Sequence, residues 1–509
     1  MTTKTKTKTK TKTKTKTKTK TKNVDTALSI LLGVLLTIPA LSFAAKVDTS
    51  MTAEQWRSIT ERDIEAAYSI SAKNHPGMFD VNNPTFPDLL NQAKAEALAL
   101  SSQASGPQVH VAAIARFSTV LQDGHAGVFS SVERPPRRWP GFSAVWRGDA
   151  LKVYYSETNN ISKGDVVSQC DGQSTEALMR KRVFKFHGEV AQPGHWWNQG
   201  WRLLIDEGNP FLMPLKACEF VKANGETYTQ VLNWSTRPKS VSKHLENADN
   251  GDELPIDLTW PDKKIAWVAM PSFSVNDKQT ADYNKVFEKI ELQHRKLLNA
   301  KAVVLDLRHN QGGSSYWSLQ IAKRLWGEKI VEQKAADLSQ NTQVWWRASK
   351  DNTDYVESLI ELVKDQSDVH EFIKVVHKGM TESLKSKAPF YVEMPDEKRE
   401  QSLNKSLTSN FKTKVFVIVP PQCASACLDA IDVFKLFPNT RLFGAPSSAD
   451  SMYMEVRLAT LPSGLGKVIV PNKVYVNRAR GEGAYYKPDI AYNGIDWTTS
   501  LLLEQIKKY

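Results

Sequence analysis

Between residues 255 and 500, short apolar runs alternate with longer stretches of helical period, and this order constrains the fold more than any other feature of the chain. Ile265–Met270, Ala302–Leu307, Lys414–Val419 and Arg441–Phe443 read as strands. Helices are expected around Ala281–Leu298, Tyr316–Trp326 and Ala426–Phe437. Strand and helix in strict alternation predict a mainly parallel sheet with crossover helices. A charged, helix-prone insertion at 330–412 interrupts the pattern and is a candidate lid.

The chain before this region has a different texture. Residues 45–135 read as a helical domain, with helices from Thr52 to about Ser71, from Phe86 to Leu100 and from Val109 to Leu121, and a turn at Asn74-His75-Pro76-Gly77. Residues 136–237 carry alternating apolar residues, turn dipeptides and Trp-rich stretches, and read as short strands. Within them, Gly164-Asp165 to Asp171-Gly172 looks like a strand-turn element of a PDZ domain. The polar stretch 238–254 reads as a linker, and 255–509 as the α/β domain.

The formal charge of +12 would suggest an anionic partner if it were spread over the chain. It is not: residues 4–22 hold ten lysines in a Thr-Lys repeat, followed by a lone Asp25, so this tail accounts for most of the excess. No nucleic-acid footprint is read from it. An apolar run from Ala27 to Leu41 follows, and Ser42-Phe43-Ala44 supplies small residues before a cut after Ala44. Together residues 1–44 describe a secretory signal peptide, predicting a periplasmic or secreted protein with no stable membrane span after cleavage. The cysteines, at 170, 218, 423 and 427, are too few for a disulfide-stapled mini-domain and lack the further ligands of a zinc site. Cys423 and Cys427, two residues either side of Ser425, are either two buried thiols or a bridge around it.

Chemistry in an open α/β sheet collects at the carboxyl ends of the strands. One such end is Asp306-Leu307-Arg308-His309-Asn310-Gln311-Gly312-Gly313, where Gly312 and Gly313 let the backbone approach a ligand and a helix follows. Another is Gln422-Cys423-Ala424-Ser425-Ala426-Cys427. Ser425 is either the cap of the next helix or a nucleophile left open by its alanine neighbours. As a nucleophile it would send its oxyanion to the N–H of Ala426 and to that of Gly312 or Gly313. A base is offered by His125 in Asp123-Gly124-His125, and a carboxylate by Glu482 between Gly481 and Gly483.

In this order the motifs resemble the tail-specific or C-terminal processing peptidase family, particularly its tricorn-like branch. The elements are His75-Pro76, Asp123-Gly124-His125, the PDZ-like piece, Asp306-Leu307-Arg308 to Gly312-Gly313, the Ser425 elbow, Leu461-Pro462-Ser463-Gly464, and Glu482 to Pro488-Asp489. The resemblance implies a ClpP/crotonase-like catalytic domain and serine-dependent hydrolysis of peptide or protein substrates without metal or organic cofactor. The Ser–Lys branch of the family places its lysine about where Asp450 stands here. The tricorn-like branch implies a Ser425–His125–Glu482 triad instead, with Asp306, Arg308 and Asn310 bracing the glycine loop. A peptide-binding protein on a degenerate scaffold and a serine esterase are the competing readings. A crotonase-type acyl-CoA enzyme fits poorly with an export signal.

Overall fold

The computed structural model describes residues 51–393 and 407–509; the signal-peptide reading therefore lies outside the described residues. The first helix, Ala53–Asn74, starts where its cap dictates. The Thr52 hydroxyl accepts the Gln55 N–H and the Gln55 side chain accepts the Thr52 N–H, a reciprocal box that satisfies two orphan donors. Phe86–Gln103 and Pro107–Leu121 complete the helical start.

The expected sheet is present. Its strands run in the order Asp257–Asp262, Ile265–Ala269, Ala302–Asp306, Lys414–Val419, Thr440–Gly444 and Ile490–Ala491, parallel except for the first pair. Alternation along each strand sorts side chains into two cores. Ala266, Val268, Val303, Leu305, Val415 and Val417 pack on the crossover helices. Ile265, Trp267, Val304, Phe416 and Ile418 face the β-rich region and the C-terminal helix Thr499–Ile506. Burial on both faces is why these strands read as continuous apolar runs.

A second sheet was not anticipated. Gly127–Ser130, Gly466–Val476, Gln343–Arg347 and Phe390–Val392 form its path, and Tyr453–Thr460 pairs with Gly466–Val476. It rests on the N-terminal helices through Val128, Val468, Val470 and Val474. The insertion is thus not helix alone: its helices Lys350–Leu362 and Ser367–Lys385 pack around Trp346, on a strand hydrogen-bonded into this sheet. Such anchoring is not that of a free lid.

The β-rich region forms a sheet in the order Phe142–Arg147, Ala150–Ser156, Val166–Cys170, Ala217–Val221 and Thr227–Val231, with Cys170 bridged to Cys218 on the adjacent strand. The Trp-rich part is helical rather than extended. Thr175–Leu178, Pro193–Gln199 and the 3₁₀ turn Gly200–Leu204 place Trp196 and Trp197 in the core beside Trp146. The stretch expected as a linker holds the helix Ser242–Asn250, tied down where the buried Arg147 guanidinium donates to the Ala248 carbonyl. No helix among the described residues is long and apolar enough to cross a membrane.

Candidate active site

The strand Lys414–Val419 and the helix Ala426–Phe434 meet at Ser425. Its side chain makes no capping hydrogen bond, which removes the helix-cap alternative. Its backbone lies at φ 55° and ψ −128°, a conformation non-glycine residues seldom adopt and one that the surrounding structure must enforce. Two constraints do so. Cys423 and Cys427 are disulfide-bonded around it, which also leaves neither sulfur as a metal ligand. The Ser425 N–H donates to both oxygens of Asp450, at 2.8 and 3.0 Å.

The glycine loop lies directly against this elbow. Its strand pairs in parallel with Lys414–Val419, Asp306 opposite Ile418. A Cβ on Gly312, at φ 109°, would stand 2.8 Å from the Ala424 carbonyl oxygen and 2.9 Å from the Ser425 Cβ. Buried Asn310 holds the loop, accepting the Gly312 N–H at 2.8 Å and donating to the Met270 carbonyl at 2.8 Å. The Gly312 N–H is therefore used internally. Phe273 N–H bonds to the Gly312 carbonyl and Ser314 N–H to the Phe273 carbonyl, a pattern that spares the Gly313 N–H. Of the two glycines, Gly313 keeps its N–H outside these bonds, and Ala426 lies at the first turn of a helix, where N–H groups lack intrahelical partners.

His125 follows the helix Pro107–Leu121, which stops at Gln122 in the left-handed region. The Asp123 Oδ1 fixes the turn by accepting the His125 N–H at 2.7 Å and the Ser451 hydroxyl at 2.8 Å. Behind it, buried His75 accepts the Gly77 N–H on Nδ1 and brings Nε2 to 3.8 Å from the Asp123 Oδ2. Burial alone would raise the Asp123 pKa; the His75 and His125 rings and the His125 N–H outweigh it and hold the carboxyl below its usual range. The His125 Nδ1 is buried without a hydrogen-bond partner. A cavity of about 350 Å³ opens beside this turn, lined by Ile114, Gln122, Gly124, Phe129 and Glu189 among others.

Glu482 lies in an exposed turn, and its carboxylate accepts the Met452 N–H at 2.7 Å. Burial pushes its pKa up to about 7; the Met452 N–H opposes this, and the nearby Asp123, Asp80 and Glu189 carboxylates add to it. Three consecutive residues therefore gather the three motifs: Asp450 holds Ser425, Ser451 holds the His125 turn and Met452 holds Glu482. Among the described residues Ser425, His125 and Glu482 are not hydrogen-bonded directly to one another. Sequence reasoning missed Asp123, His75, Asp450 and Arg480 as site builders. His75 and Asp123 had appeared only as members of motifs, and Asp450 only as an acid where a lysine was sought.

Residues 264–491 match the family model described as peptidase family S41. No curated protein matches the chain. A crystal structure of mature CPAF aligns over 89% of this chain and 97% of its own, with a TM-score of 0.60 and 14% identity. Mature CPAF complexed with lactacystin aligns over 89% and 98%, with a TM-score of 0.57 and 13% identity. At such identities the structural likeness speaks for the fold.

Proposed function

We propose that this chain, which belongs to the S41 family of serine peptidases, is an exported endopeptidase that cleaves peptide bonds through an acyl-enzyme on Ser425. One observation carries this reading: the segment 450–452 draws the Ser425 elbow, the His125 turn and Glu482 into one site beside the glycine loop. His125 takes the Ser425 proton as Oγ attacks the scissile carbonyl, then gives it to the departing amine. Water, activated by the same imidazole, releases the acyl group. The N–H groups of Ala426 and Gly313 receive the oxyanion; a donor of this kind is worth about 2.7–4 kcal/mol in the transition state. Glu482, when ionised, stabilises the imidazolium. Peptide or protein substrates are accepted, and every proton is moved by this chain's own residues. Export is supported by the signal-like residues 1–44 and by two disulfides, which persist in oxidising compartments.

A peptide-binding protein on the same scaffold is the second reading, favoured by the unpartnered His125 Nδ1. Peptide turnover by the unmutated chain and by Ser425→Ala separates the two. Turnover lost with the serine supports the peptidase; binding without turnover in both supports the binding protein.

A further inference from the structure

We propose that Asp450 and Arg480 form a positioning pair that sets the nucleophile elbow and balances the negative charge beside Ser425. The proposal rests on the peptidase reading of that serine.

The Asp450 side chain is 2% exposed and Arg480 is 5% exposed, so water does little to screen either charge. Both Asp450 oxygens receive the Ser425 N–H, and Arg480 Nη1 donates to Asp450 Oδ2 at 2.9 Å. The turn that carries Glu482 closes over the same residue, because the Gly483 N–H donates to the Asp450 carbonyl at 3.0 Å. The rest of the guanidinium reaches the helix that Ser425 starts: Nη2 donates to Asp429 at 2.7 Å and Nε to Asp432 at 3.0 Å. Asp429 in turn accepts the Ser315 hydroxyl at 2.6 Å, next to the glycine loop, and is also paired with Arg478. One buried fork thus ties together the elbow, its helix, the glycine loop and the Glu482 turn.

Two consequences follow for catalysis. With its N–H held by Asp450, Ser425 contributes no donor of its own to the oxyanion, which falls to Ala426 and Gly313. A carboxylate this close also opposes the negative charge that develops on the substrate oxygen, and Arg480 offsets that opposition. Asp450 without Arg480 should therefore be worse for the reaction than neither charge.

The test uses the full chain and reads kcat, KM, the rate of Ser425 labelling by a fluorophosphonate, and the melting temperature. Asp450→Ala should lower kcat and labelling about tenfold or more with KM within about threefold, and Asp450→Asn, which keeps an acceptor, should lose less. Arg480→Gln should also lose activity, and adding Asp450→Asn to it should restore part of that loss. Asp450→Ala with unchanged kcat in a folded protein, or a double variant no better than Arg480→Gln alone, would overturn the proposal. Where Arg480→Gln does not fold, the comparison of Asp450→Ala with Asp450→Asn decides by itself. Failure to label Ser425 in the unmutated chain would overturn the peptidase reading and this proposal with it; labelling indifferent to Asp450 would overturn this proposal only.

Discussion

Ser425 and His125 come from segments 300 residues apart, and each is held by a neighbour's carboxylate rather than by the other. Residues of a nucleophile–base unit fail together. Ser425→Ala and His125→Ala should each lower kcat by about 10⁴-fold or more, and the double variant should be no worse than either. Steady-state kinetics on one peptide substrate checks both points. Glu482 gives a pH signature. Its folded pKa of about 7 is above the ordinary carboxyl value of 4.5, so the folded chain holds the proton more tightly than the unfolded chain. Folded stability is then greatest at low pH, falls as pH rises from the ordinary value through about 7, and stays reduced above it. Activity runs the other way and should rise through about pH 7 as the carboxylate ionises. Glu482→Gln should abolish that limb, reduce activity, and raise the melting temperature above about pH 8, where the unmutated carboxylate is charged. Parallel pH–rate and melting profiles read all three effects.

The elbow is shaped by its backbone and its bridge. Gly312→Ala puts a methyl group 2.9 Å from the Ser425 Cβ at a φ that L-residues rarely adopt, and should cost about 10²-fold in kcat by displacing either the loop or the serine. The two disulfides should separate function from stability. Closing the four-residue span from Cys423 to Cys427 constrains the unfolded chain by about 2 kcal/mol on the chain-entropy estimate, while the span of 48 from Cys170 to Cys218 gives about 4 kcal/mol. Cys423→Ser with Cys427→Ser should therefore lower turnover with a small change in melting temperature. Cys170→Ser with Cys218→Ser should lower the melting temperature more and spare turnover. The parallel sheet was legible beforehand because its buried strands are unbroken apolar runs, and Lys414–Val419 and Tyr316–Trp326 were read to the residue. The second sheet was not, because its strands come from distant pieces, and Gly466–Val476 carries Pro471, Asn472 and Lys473 inside it. Tryptophans 196 and 197 misled for a similar reason: a short buried helix has too few turns to display a period.

At the scale of the molecule, one guanidinium joins the end of a central strand to the segment before the sheet and to the C-terminal segment. Buried Arg308 donates to Asp306 at 2.7 Å, to Asp252 at 3.2 Å, and to the Trp497 carbonyl and Thr499 hydroxyl at 2.6 Å each. Arg308→Leu strands a buried Asp306 charge and should lower stability by about 3–5 kcal/mol in denaturant unfolding. Such long-range partnerships were invisible in the sequence, where Asp123 and Ser451, or Asp252 and Thr499, are merely polar residues hundreds of positions apart. The motifs that were legible are those whose meaning is local, a strand running into two glycines or a serine at a strand–helix junction. The central claim is that Ser425 is a nucleophile activated by His125. It is tested most directly by treating the full chain with a fluorophosphonate and locating the adduct by peptide mass spectrometry. The account predicts one adduct, on Ser425, that is lost in His125→Ala; an unlabelled Ser425, or labelling unchanged without His125, would contradict it.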